Sequence, residues 1–144
     1  MEQVWRLITS TGFKLPNGAD RSPDASWVSM ERIEAIKPNP ASFMPLAPDF
    51  AVELGSATDT LEALRSKMQE YISCGVRLAW LISPQNQRVE IYRPGSDVEV
   101  LQSPTSLTGE NVLPGFVLDL QGILKKDILQ NLRCFQKPCF LLVL

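Results

Sequence analysis

The sequence predicts a single domain of the α/β class, in which a mixed β-sheet carries a helix on one face. A strand pattern at Phe50 to Leu54 is followed by the strongest helix pattern of the chain and then by an apolar strand at Arg77 to Ser83. Strands joined by a helix usually lie parallel in one sheet. Arg88 to Tyr92 then returns as the second arm of a hairpin, which makes the predicted sheet mixed. The length of 144 residues fits one domain.

The first third of the chain predicts short strands and loops. Glycine and proline between Thr11 and Ser22 indicate a strand end and a tight turn. Ala25 to Ser29 follows as a short strand, with Pro23 just before it. Glu31 to Ile36 predicts one or two helical turns, and four prolines from Lys37 to Pro48 predict a loop.

The central strand–helix unit has the clearest periodicity. Alternation along the strand places Phe50, Val52 and Leu54 on one face and Asp49, Ala51 and Glu53 on the other. The helix is predicted from Thr58 to Ser73, with Thr58 or Ser56 as its N-cap and Gly75 as its end. Its apolar stripe consists of Leu61, Leu64, Met68 and Ile72.

The remaining segments predict further strands and a final helix. Arg77 to Ser83 is apolar enough for the buried centre of a sheet, with Leu78, Trp80 and Ile82 as core residues. A turn at Pro84 to Gln87 leads into the hairpin, and further strands are predicted at Val98 to Gln102 and Phe116 to Leu120. A helix is predicted at Ile123 to Leu132, and the closing apolar run from Phe140 to Leu144 is far too short to span a membrane.

Composition excludes several classes of chemistry. The chain has no histidine, which removes Ser–His and Cys–His catalysis and imidazole zinc sites. Any enzyme must therefore use carboxylates, lysine, tyrosine or metal-bound water. The three cysteines, Cys74, Cys134 and Cys139, have no zinc spacing. With no secretory signal, Cys74 is expected to be a reduced thiol in a cytoplasmic protein. The net charge of -2 argues weakly against a dedicated nucleic-acid coat.

Asp24, Glu53 and Lys67 form a chemically complete set for phosphodiester hydrolysis. Magnesium binds hard oxygen ligands, and one or two carboxylates suffice when water completes the coordination. A nearby lysine can orient or deprotonate the attacking water or stabilise the phosphate. Such trios are usually solvated surface charge, so these residue types alone do not decide between the two interpretations.

Several stretches together resemble the Uma2 family of bacterial restriction endonucleases, long catalogued as a domain of unknown function. They are Thr11-Gly-Phe-Lys-Leu-Pro-Asn-Gly18, Ser22-Pro-Asp-Ala-Ser-Trp-Val28, Pro48 to Asp59, Gly75-Val-Arg77, Trp80 to Pro84, Val89-Glu-Ile-Tyr-Arg-Pro94 and Leu113-Pro-Gly-Phe116, with Leu61, Leu64, Lys67 and Tyr71 on the helix.

The resemblance implies a PD-(D/E)XK nuclease fold, a restriction-endonuclease-like mixed β-sheet core flanked by helices, over residues 1–123. Residues 124–144 then form a C-terminal helix and apolar tail. By the family's motif, Asp24 and Glu53 would bind Mg²⁺ or Mn²⁺, and DNA would be the substrate. The usual motif has a lysine two positions after the second acid, where this chain has Gly55. Lys67, on the following helix, matches the place from which the family supplies its lysine.

The resemblance also leaves alternatives open. Family members carry a further segment upstream, so the chain is expected to be N-terminally short. An inactive relative that binds DNA or protein is the second hypothesis, and a homodimer formed through a sheet edge or the tail is the third.

Other polar residues are interpreted structurally. Asp49 is expected to be a strand-start residue, although its place on the Glu53 face would also let it lend a ligand. Ser56 and Asp59 are expected to cap the helix, and Tyr71 to pack against the Lys67 stem. Three arginines that could follow a phosphate backbone are expected to be solvated: Arg77, Arg88 and Arg93. Lys67 is expected at the edge of the apolar stripe, within two hydrogen-bond lengths of the site's carboxylates. The alternative is a fully exposed lysine that pairs with Glu70 or Glu62 on the helix surface.

Overall fold

The computed structural model describes residues 4, 5, 7–39, 41–124, 142 and 143. In chain order its elements are β1 (Val4–Trp5), β2 (Phe13–Lys14), β3 (Asp20–Arg21), β4 (Ala25–Trp27), α1 (Met30–Ile36), β5 (Phe50–Leu54), α2 (Leu61–Ser73), β6 (Leu78–Ser83), a 3₁₀ turn (Pro84–Asn86), β7 (Arg88–Tyr92), β8 (Glu99–Gln102), β9 (Ser106–Thr108), β10 (Val117–Asp119), α3 (Gln121–Leu124) and β11 (Leu142–Val143).

A five-stranded mixed sheet organises these elements in the order β4-β5-β6-β7-β8. Strands β5 and β6 are parallel and are connected through α2, whereas the other neighbouring strands are antiparallel. The predicted α/β class and the predicted adjacency of the two strands are therefore confirmed. The hairpin of β6 and β7 is confirmed as well, with Ser83 opposite Arg88.

Both faces of the sheet are covered, and the alternation of β5 separates them as predicted. Phe50 and Val52 belong to one core cluster, on the sheet face opposite α2, which also includes Phe116 and Leu118. Ala51 belongs to the second cluster, in which α2 contributes Leu64, Met68 and Tyr71. Coverage on both sides explains why all six residues of β6 are buried and why its sequence is almost continuously apolar.

Trp80 forms the centre of the cluster opposite α2. Its ring meets that of Phe50 edge to face, with centroids 4.8 Å apart and planes at 85°. Leu78, Trp80 and Ile82 are each at most 1% exposed, which confirms their assignment to the core.

The start of α2 differs from the prediction. The helix begins at Leu61, and the Thr60 side chain is its N-cap, accepting a hydrogen bond from the Ala63 amide at 3.2 Å. Neither Thr58 nor Ser56 caps it. Asp59 instead accepts bonds from the Ser56 amide and hydroxyl at 2.9 and 2.8 Å, which holds these residues in the turn before the helix.

Other boundaries shift less. The predicted strand at Ala25 to Ser29 ends at Trp27, because Ser29 becomes the N-cap of α1. The predicted turn before it is confirmed as the β2–β3 hairpin, where Gly18 has φ of 88°. The last predicted strand is confirmed as β10, which pairs with β9, an unpredicted strand.

The C-terminal predictions lie mostly outside the described residues. Helix α3 covers Gln121–Leu124, but residues 125–132 of the predicted helix are not described. Of the apolar tail, Leu142–Val143 pairs antiparallel with β1. No described helix has the length and apolarity needed to cross a bilayer.

Candidate active site

Glu53 lies near the end of β5, on the sheet face that α2 covers, and it is only 5% exposed. Its Oε1 accepts a hydrogen bond from the Tyr71 hydroxyl at 2.6 Å. Its Oε2 lies 3.6 Å from Lys67 Nζ. Both partners come from α2, so packing of the helix on the sheet fixes the orientation of the carboxylate.

Asp24 immediately precedes β4, the edge strand beside β5. Because Ala25 pairs with Val52, Asp24 falls beside Glu53 and Leu54 at the end of β5. Its Oδ2 accepts a hydrogen bond from the Leu54 amide at 2.7 Å, which ties the half-buried carboxylate to that strand. The sheet therefore brings together two acids that are 29 positions apart in the sequence.

Lys67 approaches this pair from α2, with a side chain that is about one-third exposed. It occupies the expected position between the buried Leu64 and Met68 and solvent. The alternative, a fully exposed Lys67 paired with Glu70 or Glu62 on the helix surface, is not what the described residues show. Lys67 pairs with Glu53, and Glu70 bonds to Arg21 and Asn17. The 3.6 Å between Lys67 Nζ and Glu53 Oε2 lies within the two hydrogen-bond lengths expected from the sequence. The chemical role of Lys67 stays a prediction.

The electrostatics of the two acids favour a cation between them. Burial raises the pKa of the Glu53 carboxyl, and the Tyr71 hydrogen bond and the Lys67 charge only partly oppose this effect. Burial likewise raises the pKa of Asp24, against the Leu54 amide and Lys67. The nearby negative charge of Asp24 raises the Glu53 pKa further. Both anions therefore lack part of the stabilisation that a cation would supply.

Tyr71 is the site residue that the sequence interpretation missed. It is fully buried and bonded to Glu53, so the expectation that it mainly packs on the Lys67 stem was incomplete. Burial raises the pKa of its phenol far above the usual value, so the hydroxyl stays protonated and donates. A signal was present, because Tyr71 lies seven residues after Leu64 on the buried stripe and a buried phenol needs a partner.

Gly55, at the usual motif position of the lysine, lies close to side chains of α2 and β6. A Cβ at Gly55 would lie 3.3 Å from Leu64 Cδ1 and 3.5 Å from Ser83 Oγ. The N-terminal part of α2 thus packs directly over the backbone there. A side chain at 55 would therefore need Leu64 to shift by a few tenths of an ångström, while Lys67 reaches Glu53 from α2.

Asp49 does not belong to the site. It lies at the opposite end of β5, where its Oδ2 accepts from the Ser29 amide at 3.0 Å. Its other oxygen is 3.0 Å from Arg32 and 3.8 Å from Arg77. The expectation of a structural strand-start aspartate agrees with these contacts.

The donor set fits a hard divalent cation that keeps several water ligands. In the part of the chain that the structure describes, no group of three His, Cys, Asp or Glu side chains could hold a metal ion. Asp24 and Glu53 nevertheless supply two carboxylates, and magnesium is commonly bound by one or two carboxylates plus water. Carboxylate oxygens suit such a hard ion better than a softer metal.

Comparisons with known proteins agree with this fold. The Uma2 family, described as "Putative restriction endonuclease", matches residues 2–121, and the chain belongs to this family. No curated protein matches the chain significantly.

Two solved structures are similar. One is the crystal structure of a protein from Anabaena variabilis ATCC 29413, described as a "putative nuclease belonging to DUF820". It matches with a TM-score of 0.68 at 20% identity, over 83% of this chain and 67% of that one. The cryoEM structure of a DrdV–DNA complex matches over 68% of this chain and 8% of that one, at 16% identity and a TM-score of 0.42, too low to inform on the fold. The first match confirms the nuclease-like α/β fold.

Proposed function

We propose that the protein is a magnesium-dependent endonuclease of the PD-(D/E)XK type that hydrolyses DNA phosphodiester bonds. The observation that carries the proposal is the approach of Lys67 Nζ to within 3.6 Å of the nearly buried Glu53, beside Asp24. The family supports nuclease chemistry, and DNA is the substrate class that its description implies. Residues 1–123 would form the nuclease domain, acting in the cytoplasm.

In this proposal Asp24 and Glu53 hold the metal. Asp24 uses one oxygen to accept from the Leu54 amide, which leaves Oδ1 without a hydrogen bond among the described residues. Glu53 uses Oε1 to accept from Tyr71, and its Oε2 faces Lys67. When bound, a divalent cation supplies an activated water and charge neutralisation at the phosphate.

Lys67 provides the second cationic group of the site. Its ammonium can donate to a non-bridging phosphate oxygen or orient the attacking water. The backbone of β5 and the packing of α2 fix this arrangement before substrate binds, so little reorganisation is required. Tyr71 keeps one Glu53 oxygen occupied and so directs the other toward Lys67.

Plasmid nicking tests the proposal. The wild-type protein should convert supercoiled plasmid to the open circle in Mg²⁺ or Mn²⁺, and EDTA should stop the reaction. Glu53→Gln keeps the size and the Tyr71 hydrogen bond but removes the charge that holds the metal, so it should be inactive and folded. Nicking by wild type that persists undiminished in E53Q would show that Glu53 is not a ligand. Absence of nicking by the folded wild type would favour the non-catalytic alternative.

A further inference from the structure

A second buried carboxylate lies on the same sheet face as Glu53 and holds two arginines. Glu90 on β7 is 2% exposed. Arg65 of α2 donates to it through Nε at 3.0 and 3.2 Å and through Nη2 at 2.6 Å. Arg88 donates to Oε1 through Nη2 at 2.8 Å, and the Tyr92 hydroxyl donates to Oε2 at 2.7 Å.

The cluster of Arg65, Arg88 and Glu90 lies close to the candidate active site. Glu53 pairs in register with Leu81, and Leu81 pairs with Glu90, so the two buried glutamates occupy one row across the sheet. Two strand spacings correspond to about 10 Å. Arg88 opposes Ser83, at the same end of the sheet as the β5–α2 turn. A duplex rises about 10 Å in three base steps, so one backbone could reach both places.

Glu90 fixes the two guanidinium groups while leaving donors free. Each arginine has five N–H donors. Arg65 uses Nε and Nη2 and Arg88 uses Nη2, so the Nη1 groups of both have no hydrogen bond within the described residues. The side chains of Arg65 and Arg88 are 43% and 28% exposed, respectively. Anchored guanidiniums with free donors suit a phosphate group, since little side-chain entropy remains to be lost.

The charge balance of the cluster is positive. Burial alone would raise the pKa of Glu90, but the hydrogen bonds from Arg65 and Tyr92, together with the charges of Arg65 and Arg88, hold that pKa below its usual value. The ionised carboxylate therefore neutralises one of the two arginines. Arg93, in contrast, is shared between the carboxylates of Glu99 and Glu110. In a protein of net charge -2, local positive charge beside the site is what a polyanion requires.

We propose that Arg65 and Arg88 form a binding site for DNA backbone phosphates near the scissile bond, with Glu90 as their positioning residue. This inference rests on DNA being the substrate, as proposed above. The chain offers a matched control. Asp49 also holds two arginines, Arg32 and Arg77, but at the opposite end of β5. Arg77→Gln removes the same charge as Arg88→Gln from a side chain that is also partly exposed.

Duplex binding measured by fluorescence anisotropy in EDTA tests the site without cleavage. Each phosphate contact contributes about 0.9 to the slope of log K against log salt. R65Q and R88Q should therefore each reduce the slope by about 0.9 between roughly 50 and 200 mM salt, and R77Q should leave it unchanged. Arg88→Lys keeps the charge and should retain the wild-type slope. If R65Q does not fold, the R88Q and R88K pair decides.

The outcomes separate this site from the proposed function. Slopes for R65Q and R88Q equal to those of R77Q would overturn the phosphate site, even in an active nuclease. A selective loss of slope in a protein that never nicks plasmid would support the site and refute the nuclease. A folded wild-type protein that does not bind duplex in EDTA would overturn the phosphate site, whereas plasmid nicking in Mg²⁺ would still decide the nuclease.

Discussion

Tyr71→Phe isolates the contribution of one hydrogen bond to the candidate site. The substitution removes only the hydroxyl that donates to Glu53 Oε1 at 2.6 Å, inside a core where Tyr71 is 0% exposed. Among the described residues, Lys67 is the one cation within ion-pair distance of this carboxylate, and it lies at the other oxygen, Oε2. Hydrogen bonds to charged groups contribute about 1.5–3 kcal/mol and neutral ones about 0.5–1.5 kcal/mol.

The sign of the pH dependence follows from the pKa of Glu53. Burial holds that pKa above its unfolded value, so Glu53 stabilises the fold most below the unfolded pKa, and stability falls as pH rises through the folded pKa. The Tyr71 hydrogen bond opposes burial, so its loss in Y71F raises the pKa further. The destabilisation should therefore be about 1.5–3 kcal/mol at alkaline pH and about 0.5–1.5 kcal/mol at acidic pH, where the carboxyl is neutral.

Urea unfolding of the metal-free protein at several pH values measures these differences. Tyr92→Phe is the matched control, because it removes an equivalent 2.7 Å bond to Glu90 without touching Glu53. Both variants should lose similar stability at alkaline pH. At saturating DNA, Y71F should nick more slowly than wild type, and the acidic limb of its pH–rate profile should move to higher pH. Y92F should nick at the wild-type rate. Equal nicking by Y71F and wild type would refute a positioning role for Tyr71.

Three further predictions concern charge. Because burial disfavours the Glu53 anion, metal-free E53Q should be at least as stable as wild type at alkaline pH, although it no longer nicks DNA. Urea unfolding measures this, and a loss of more than about 1 kcal/mol in unfolding free energy would contradict the expectation. Lys67→Ala should reduce nicking by roughly 10²–10⁴-fold, and Lys67→Arg should also fail because a guanidinium is a poor base with a different reach; activity near wild type in either variant would remove Lys67 from the site. The pKa of Glu90 is depressed, so its contribution to folding stability is present above the unfolded pKa and lost as pH falls through the folded pKa. Glu90→Gln should therefore cost about 1–3 kcal/mol of unfolding free energy near neutral pH, since its arginines are partly exposed. A stability difference between E90Q and wild type that stays constant across pH would contradict this sign.

Periodicity was sufficient to predict the central unit of the fold. Hydrophobic patterning determines which strand faces are buried, and it is clear in Phe50 to Leu54 and in the apolar run before Ser83. The bounds of β5 and β6 and their adjacency in the sheet were therefore confirmed closely. The start of α2 was less predictable, because Ser56, Thr58 and Thr60 are all competent caps. The choice depends on Asp59, whose bonds to Ser56 form only in the folded turn.

The candidate site was predictable in part. The residue types at 24, 53 and 67 indicated a set of groups, but their proximity depends on the register of β4 against β5 and on the packing of α2. The partners of Tyr71 and Glu90 could not be predicted from spacing alone, because both bonds depend on how α2 packs against the sheet. Strand β9 is too short for its alternation to stand out.

Anomalous diffraction from a crystal soaked in Mn²⁺ tests the central claim most directly. If Asp24 and Glu53 hold the catalytic cation, a peak should lie between their carboxylates, with Lys67 Nζ still within two hydrogen-bond lengths of the site. An E53Q crystal treated identically should lose the peak, because the amide removes the ligand charge. No peak at this position in the wild-type protein, or one that survives in E53Q, would contradict the assignment of these residues.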